Sequence, residues 1–341
     1  GEAFPCSEIR VISVNDSAIP VHAASFGRLY FIGCGPRESW FLKVRVVLTA
    51  LRETLRHPPN VIICGHINLA LLALLLSAVS RGRIALVAHG FEAWAPRANL
   101  RLAARCIHQV FPVSRFTANR IEEWGIKHDR IRIVSDTVDG EVFRPIRREK
   151  PPKGKVLLTV ARLDASERAK GVDLVIKALR SVRVHHPSVQ YVVAGKGDDV
   201  PRLQSLAREL GVANSVKFLG YVPDKELPAL YSEADLFVMP SWKEGFGIVF
   251  LEALACGVPV VAGNRDGSVD AVLDGQIGLL VDPEDSAQLV QGILGFLNGT
   301  QIKTLRDPMH LRRKVLSYYG FDRFRESVRA VLMNEQPGIL S

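Results

Sequence analysis

Nowhere in this chain is an apolar run long enough to cross a bilayer. The longest, Ile67–Val79, is too short for a span and reads as a buried helix. Cysteine is sparse: Cys6, Cys34, Cys64, Cys106 and Cys256 are scattered, odd in number and never spaced Cys-x-x-Cys. That excludes a disulfide framework and a zinc site, and leaves small core residues in a reducing compartment. A basic segment followed by an apolar signal core is also missing, which points to the cytosol. No aromatic-and-basic stripe appears, so nucleic acid is not an expected partner. Gly33-Cys-Gly35 and Gly195-Lys-Gly197 each lack the third glycine of a dinucleotide fingerprint, and no Walker lysine motif is present.

What remains is the composition of a folded globular protein, 48% hydrophobic and 23% charged over 341 residues, enough for two domains. The net charge of +9 is uneven. Residues 1–150 carry 21 Lys and Arg against 13 Asp and Glu, and the remainder 23 against 22. A basic N-terminal half suits an acidic partner, such as an anionic membrane surface or a lipid pyrophosphate; a solvated cationic surface accounts for it equally well.

Short β-branched runs alternate with helical patterns, the signature of a parallel α/β architecture. In the first half, strands are expected at 9–14, 61–64, 84–88, 109–113 and 131–134, with helices at 41–56, 68–80, 100–106 and 115–124. The charged, proline-rich stretch Arg144–Gly154 then reads as a linker. Beyond it, strands at 156–160, 189–194, 216–219, 236–239, 258–262 and 278–281 alternate with helices at 171–184, 200–210, 224–232, 248–255 and 285–297. The domains expected are 1–148 and 153–308, both Rossmann-like, followed by one or two basic helices within 309–341 that pack back on either half.

The densest chemistry lies in Glu244-Gly-Phe-Gly-Ile-Val-Phe-Leu-Glu252. Gly245 and Gly247 precede an apolar helix, where backbone N–H groups can approach an anion closely. Glu252, about two turns along that helix, is placed to accept hydrogen bonds from sugar hydroxyls. Arg162 and Lys170-Gly171 fall where a strand meets a helix, the ligand-binding end of open α/β sheets. Fixed cations there can neutralise a diphosphate leaving group without a metal. His89, before Gly90 at another strand end, can hydrogen-bond a polar ligand, and His66 is a parallel case that can instead cap the following helix.

Together these residues resemble the retaining glycosyltransferases of family 4, which have the GT-B fold of two Rossmann-like domains facing across a cleft. Glu244 and Glu252 match that family's E-x7-E signature. Ala161-Arg162-Leu163, Lys170-Gly171, Val193-Ala194-Gly195-Lys196-Gly197 and Phe218-Leu219-Gly220-Tyr221 match its successive strand ends. His89-Gly90 with Glu92 and Trp94 is similar to its cleft histidine, and Val113–Thr117 to its strand-to-helix step. The likeness runs over roughly residues 60–330.

The resemblance implies a hexosyltransferase using a UDP- or GDP-linked sugar, retaining, with neither metal nor other cofactor. It gives the donor diphosphate to Arg162, Lys170, Gly247 and Ile248, and the ribose to Glu252. Gly195 and Tyr221 would line the base pocket, Gly245 and Phe246 would form the sugar-contact loop, and His89 and Glu244 would be catalytic. A glycan, lipid-linked or small-molecule acceptor would bind the N-terminal domain of a cytoplasmic, peripherally membrane-bound protein. Ala161 replaces a family glycine, and the family's opening strand with its Gly-Gly loop has no counterpart here, so either the N-terminus is truncated or the acceptor side is unusual. Two alternatives share the fold: a sugar-nucleotide-binding module without transferase activity, and a nucleotide-sugar epimerase.

Overall fold

The computed structural model describes residues 7–14, 29–34, 40–147 and 154–333. Cys6, Gly35 and the centre of the expected linker, 148–153, lie outside the described residues. Two compact units emerge. One takes the chain up to Pro112, Ala118–Val134 and the stretch from Arg325; the other takes Val113–Thr117 and Ser135–Phe324.

In the first unit, strands β1 (Ile9–Ser13) and β2 (Leu29–Gly33) pair in parallel, with Ile9 opposite Leu29. Helix α1 (Trp40–Arg56) leads to β3 (Val61–Cys64), α2 (Ala70–Ser80) and β4 (Arg83–Ala88). A short helix α3 (Phe91–Trp94), then α4 (Ala98–Arg105), β5 (Gln109–Pro112) and α5 (Arg115–Glu122) complete the order. Strands β3, β4 and β5 form a second parallel sheet in that order. Its core is Ile84, Leu86, Ile107, Val110, Ile121 and Trp124, all nearly inaccessible. The turns that lead into β3 and β4 lie against each other: a side chain at Gly82, just before β4, would meet the carbonyl of Pro59, just before β3.

Residues 131–134 do not form the expected strand. Arg132 and Val134 donate backbone bonds to the Val110 and Pro112 carbonyls, and only Ile131 makes a bridge, so the segment touches β5 without extending the ladder. Strand β2, absent from the sequence expectation, has one β-branched residue among Leu29, Tyr30, Phe31, Ile32 and Gly33.

The second unit is built on six parallel strands: β6 (Val156–Val160), β7 (Gln190–Ala194), β8 (Val216–Gly220), β9 (Leu236–Met239), β10 (Val260–Gly263) and β11 (Leu279–Val281). Their order is β11-β10-β9-β6-β7-β8. The chain therefore starts in the middle, builds outward on one side, then returns to build the other. The switch falls between β6 and β9, and the carboxyl ends of strands at such a point are where open α/β sheets bind their ligands. Every residue of β9 and β10 is buried, as expected of strands covered by helices on both faces.

Helices α6 (Val172–His185), α7 (Val200–Glu209) and α11 (Ser286–Leu297) cover one face around Val175, Leu179, Tyr191 and Ile293. On the other face lie α8 (Leu227–Ser232), α9 (Ile248–Ala255), α10 (Ser268–Ala271) and α12 (Pro308–Tyr319), with Tyr231, Phe237, Phe250 and Leu251 at the centre. The stretch 135–147 packs here as well, through Val138 and Phe143. Arg312 of α12 donates to the carbonyls of Gly140, Phe143 and Ala255 at 2.6–2.7 Å, tying that stretch to the end of α9.

The segment expected as one or two helices is two. Gly320 breaks it with extended backbone and bridges to Val138, and α13 (Phe321–Leu332) follows. Near its end Val331 joins Ala85 and Phe111 in the first unit's interior. No helix among the described residues is long and apolar enough to cross a membrane. The four described cysteines are unpaired, and burial pushes the Cys256 thiol up to about 12, which suits a packing role.

Candidate functional site

The loop after β6 carries both expected cations. Arg162 is largely exposed, and its guanidinium lies 2.7 Å from the Glu167 carboxylate. Lys170, only 15% exposed, is paired with Glu244 and stands 3.6 Å from the other Glu167 oxygen. Glu167 thus joins the two cations, and Lys170 joins the β6 loop to the loop after β9. Backbone ties the same two loops together, because Trp242 N–H donates to the Ala169 carbonyl at 3.0 Å.

The β6 loop is also held from the β7 side. Asp198 accepts from Ala165 N–H at 2.7 Å, and Asp199 accepts from Arg168 and Arg202. These arginines hold the Asp199 carboxyl below its usual range. The incomplete Gly195-Lys196-Gly197 motif now has a physical role. A β-carbon at Gly195 would stand 1.8 Å from the Ala161 carbonyl oxygen, and one at Gly197 2.1 Å from the Leu163 carbonyl carbon. These glycines let the β7 loop lie directly on the Arg162 loop.

Glu244 is positioned from β10. Asp266, nearly inaccessible, accepts from Glu244 N–H at 2.7 Å, Ser241 Oγ at 2.9 Å and Ser268 N–H at 2.9 Å. Burial raises the Asp266 carboxyl, and these donors pull against it. Gly267 N–H closes the arrangement by donating to the Glu244 carbonyl at 2.8 Å.

Gly247, at φ +100°, precedes α9 and supplies no side-chain cap, so the first N–H groups of the helix stay open to a ligand. Ile248 at the first position is 43% exposed. Phe246, expected with Gly245 in the sugar-contact loop, turns its ring inward. It is buried at 1% and packs edge-on against Tyr319 at 5.2 Å, so the loop can offer a ligand backbone and Gly245, not the phenyl ring.

Glu252 lies on α9 and accepts from the buried Tyr231 hydroxyl at 2.7 Å. Burial raises its carboxyl, and the Tyr231 bond opposes that rise. Tyr221, at the end of β8, is exposed, with Lys196 Nζ 5.4 Å above its ring, so a flat cationic shelf adjoins Gly195.

In the first unit, His89 follows β4. Its backbone N–H donates to Glu92 at 2.7 Å, and its Nε2 lies 3.2 Å from the Gly65 carbonyl oxygen, a geometry that holds the proton on Nε2. His66 instead accepts from Asn68 N–H through Nδ1 at 3.1 Å, capping the turn Ile67–Leu69 ahead of α2.

Sequence reasoning had no role for Glu167, Asp199, Tyr231 or Asp266. Glu167 was within reach, three residues before Lys170 in a loop already singled out. The other three reach the site across longer separations, Asp199 to Arg168 over 31 residues, Tyr231 to Glu252 over 21 and Asp266 to Glu244 over 22.

Residues 143–312 match the family described as glycosyl transferases group 1. A mannosyltransferase of Mycolicibacterium smegmatis, named as GDP-mannose-dependent and acting on phosphatidylinositol monomannoside, is 36% identical over 237 residues. That match covers 64% of this chain and 61% of the relative. A D-inositol 3-phosphate glycosyltransferase of Acidothermus cellulolyticus is 36% identical over 51% of this chain and 42% of its own length. The chain thus spans less than two thirds of these relatives.

Among solved structures, sucrose-phosphate synthase of Thermosynechococcus elongatus superposes with a TM-score of 0.80 at 20% identity, covering 98% of this chain and 90% of its own. Anabaena HepE in complex with UDP does so with 0.80 at 19%, covering 98% and 94%. The fold is GT-B, with two Rossmann-like units, and over residues 143–312 the chain belongs to the group 1 glycosyltransferase family.

Proposed function

We propose that the chain is a hexosyltransferase that moves a sugar from a UDP- or GDP-linked donor to a glycan, lipid-linked or small-molecule acceptor, with retention and without a metal. The observation that carries this is the convergence of Arg162, Lys170 and the uncapped start of α9 at the switch point of the second unit's sheet. Two cations and a helix N-terminus suit a diphosphate, whose charge grows as the glycosidic bond breaks.

In this reading the bond from the sugar's anomeric carbon to the phosphate oxygen breaks, and the electrons stay on the phosphate. The acceptor hydroxyl oxygen bonds to the anomeric carbon on the same face, and its proton passes to the departing phosphate. Glu252 holds the ribose, Glu244 meets the hexose, Tyr221 stacks near the base, and His89 hydrogen-bonds the transferred sugar. The named donor and acceptor of the Mycolicibacterium relative put GDP-mannose and inositol-containing lipids first in any screen. A lipid-linked acceptor would place the protein at the cytoplasmic face of a membrane.

The test measures transfer with UDP- and GDP-sugars across an acceptor panel. Lys170→Ala and Glu252→Gln should each lower it about a hundredfold with the fold intact. Near wild-type transfer in both variants would overturn the assignment. NMR of donor incubated alone should show unchanged sugar stereochemistry; a new epimer would mark an epimerase instead.

A further inference from the structure

Capping occupies only one ring nitrogen of His66. Because Nδ1 accepts from Asn68 N–H, the ring proton sits on Nε2, which is left as a donor on a half-buried side chain. On the neighbouring parallel strand, His89 turns its own Nε2 to the carbonyl of Gly65, the residue before His66. Two imidazoles therefore stand at the carboxyl ends of β3 and β4. Gly65 between them leaves room, since a β-carbon there would meet nothing within 4 Å.

Two residues past His89, Phe91 opens α3 and is 60% exposed. Trp94 meets it edge-on, with centroids 6.4 Å apart at 74°, which steadies the phenyl ring without covering it. The side chains nearest in sequence on these two strand ends are polar: His66, Asn68, His89 and Glu92. An exposed aromatic ring beside hydrogen-bonding groups suits a ligand that is apolar on one face and polar at its rim. A six-membered polyol ring has that form, with C–H bonds on its face and hydroxyls at its edge. An acyl chain fits poorly, because it would strip water from the donors and give nothing back. Glycerol has no flat face to lay on the phenyl ring.

We propose that Phe91 and His66 form an acceptor subsite, and that the acceptor presents a polyhydroxylated six-membered ring, a pyranose or a cyclitol. This rests on the reading in which His89 meets the transferred sugar. The attacking hydroxyl must lie beside that sugar, and Phe91 and His66 flank His89 on its own sheet edge. The acceptor ring lays its C–H face on Phe91, and His66 Nε2–H donates to one of its hydroxyl oxygens. No bond breaks here; the subsite selects which hydroxyl is presented.

Saturation-transfer NMR and transfer kinetics test the proposal. The protein should saturate myo-inositol and methyl α-glucopyranoside, most strongly at the ring C–H protons, and should not saturate glycerol. Phe91→Ala should weaken binding of both rings about fivefold to tenfold, and Phe91→Tyr should keep it. His66→Asn retains an acceptor for the Asn68 N–H but lacks the imidazole donor, and should lose about the same factor. In transfer assays both disabling variants should raise the Michaelis constant for the acceptor and leave that for the donor unchanged. Rings bound as tightly by both variants as by wild type, or glycerol bound as well as the rings, would overturn the subsite. A wild-type protein that binds the rings but neither UDP nor GDP in calorimetry would overturn the donor reading instead, and with it the assignment of this ring as acceptor.

Discussion

Lys170 is paired with Glu244 across the loops that follow β6 and β9, and Glu167 waits 3.6 Å from the same ammonium. A cation proposed to meet a diphosphate therefore already holds two carboxylates. An incoming nucleotide must displace that pairing or share it.

Glu244→Gln removes one competitor while keeping the side chain's shape. Calorimetry with UDP and GDP should then show binding several-fold tighter than in the wild-type protein, while hexose transfer falls. Weaker nucleotide binding would mean that Glu244 holds Lys170 in place and does not compete for it.

Gly195 combines φ +137° with the 1.8 Å approach to the Ala161 oxygen. Gly195→Ala should cost about 2–4 kcal/mol in urea unfolding, because the β6 loop must move as well as the backbone. Gly211 is the control: at φ +67° with open space around it, its alanine variant should lose only about 1–2 kcal/mol.

Tyr231→Phe leaves Glu252 buried without its hydroxyl donor. The Glu252 carboxyl is already raised by burial, so its ionisation favours the unfolded chain as pH climbs above the unfolded value near ~4.3. The variant's carboxyl rises further, which carries that loss to higher pH. The cost should be about 1–3 kcal/mol at neutral pH and smaller in acid. Denaturant titrations at a series of pH values measure it.

Asp199→Asn removes a carboxyl that is shifted the opposite way. The folded carboxyl lies below its ordinary range, so its stabilisation is complete above the unfolded value of ~3.9 and is lost as pH falls through the folded one. The variant should be about 1–3 kcal/mol less stable at neutral pH and should converge with wild type in strong acid. Because Arg168 lies in the Lys170 loop, the Michaelis constant for donor should rise as well.

Much of the second unit could be read from the sequence, because its central strands are continuous apolar runs and its glycines fall at strand ends. The position of Glu244, Arg162 and Lys170 beside one switch point was legible for the same reason. The first unit was less so. Residues 131–134 have strand composition but lie beside β5 with a single bridge, and β2 has little β-branching to announce it. That the Phe246 ring packs against Tyr319, leaving backbone and Gly245 to face a ligand, depends on a tertiary contact the glycines around it do not announce. Asp266 and Tyr231 were invisible because tertiary contact brings Glu244 and Glu252 to them.

The strand-end loops of the second unit lean on one another in series. The β7 loop rests on the β6 loop at Gly195 and Gly197, and the β6 loop on Pro240 at Gly171. The β9 loop is in turn met by Gly263 and Gly267 of the β10 loop. Four loops that touch at backbone distance cannot be lengthened or exchanged one at a time. New donor preferences in this scaffold must therefore arise by changing side chains on a fixed floor. An engineer grafting a foreign loop would have to bring its neighbours with it.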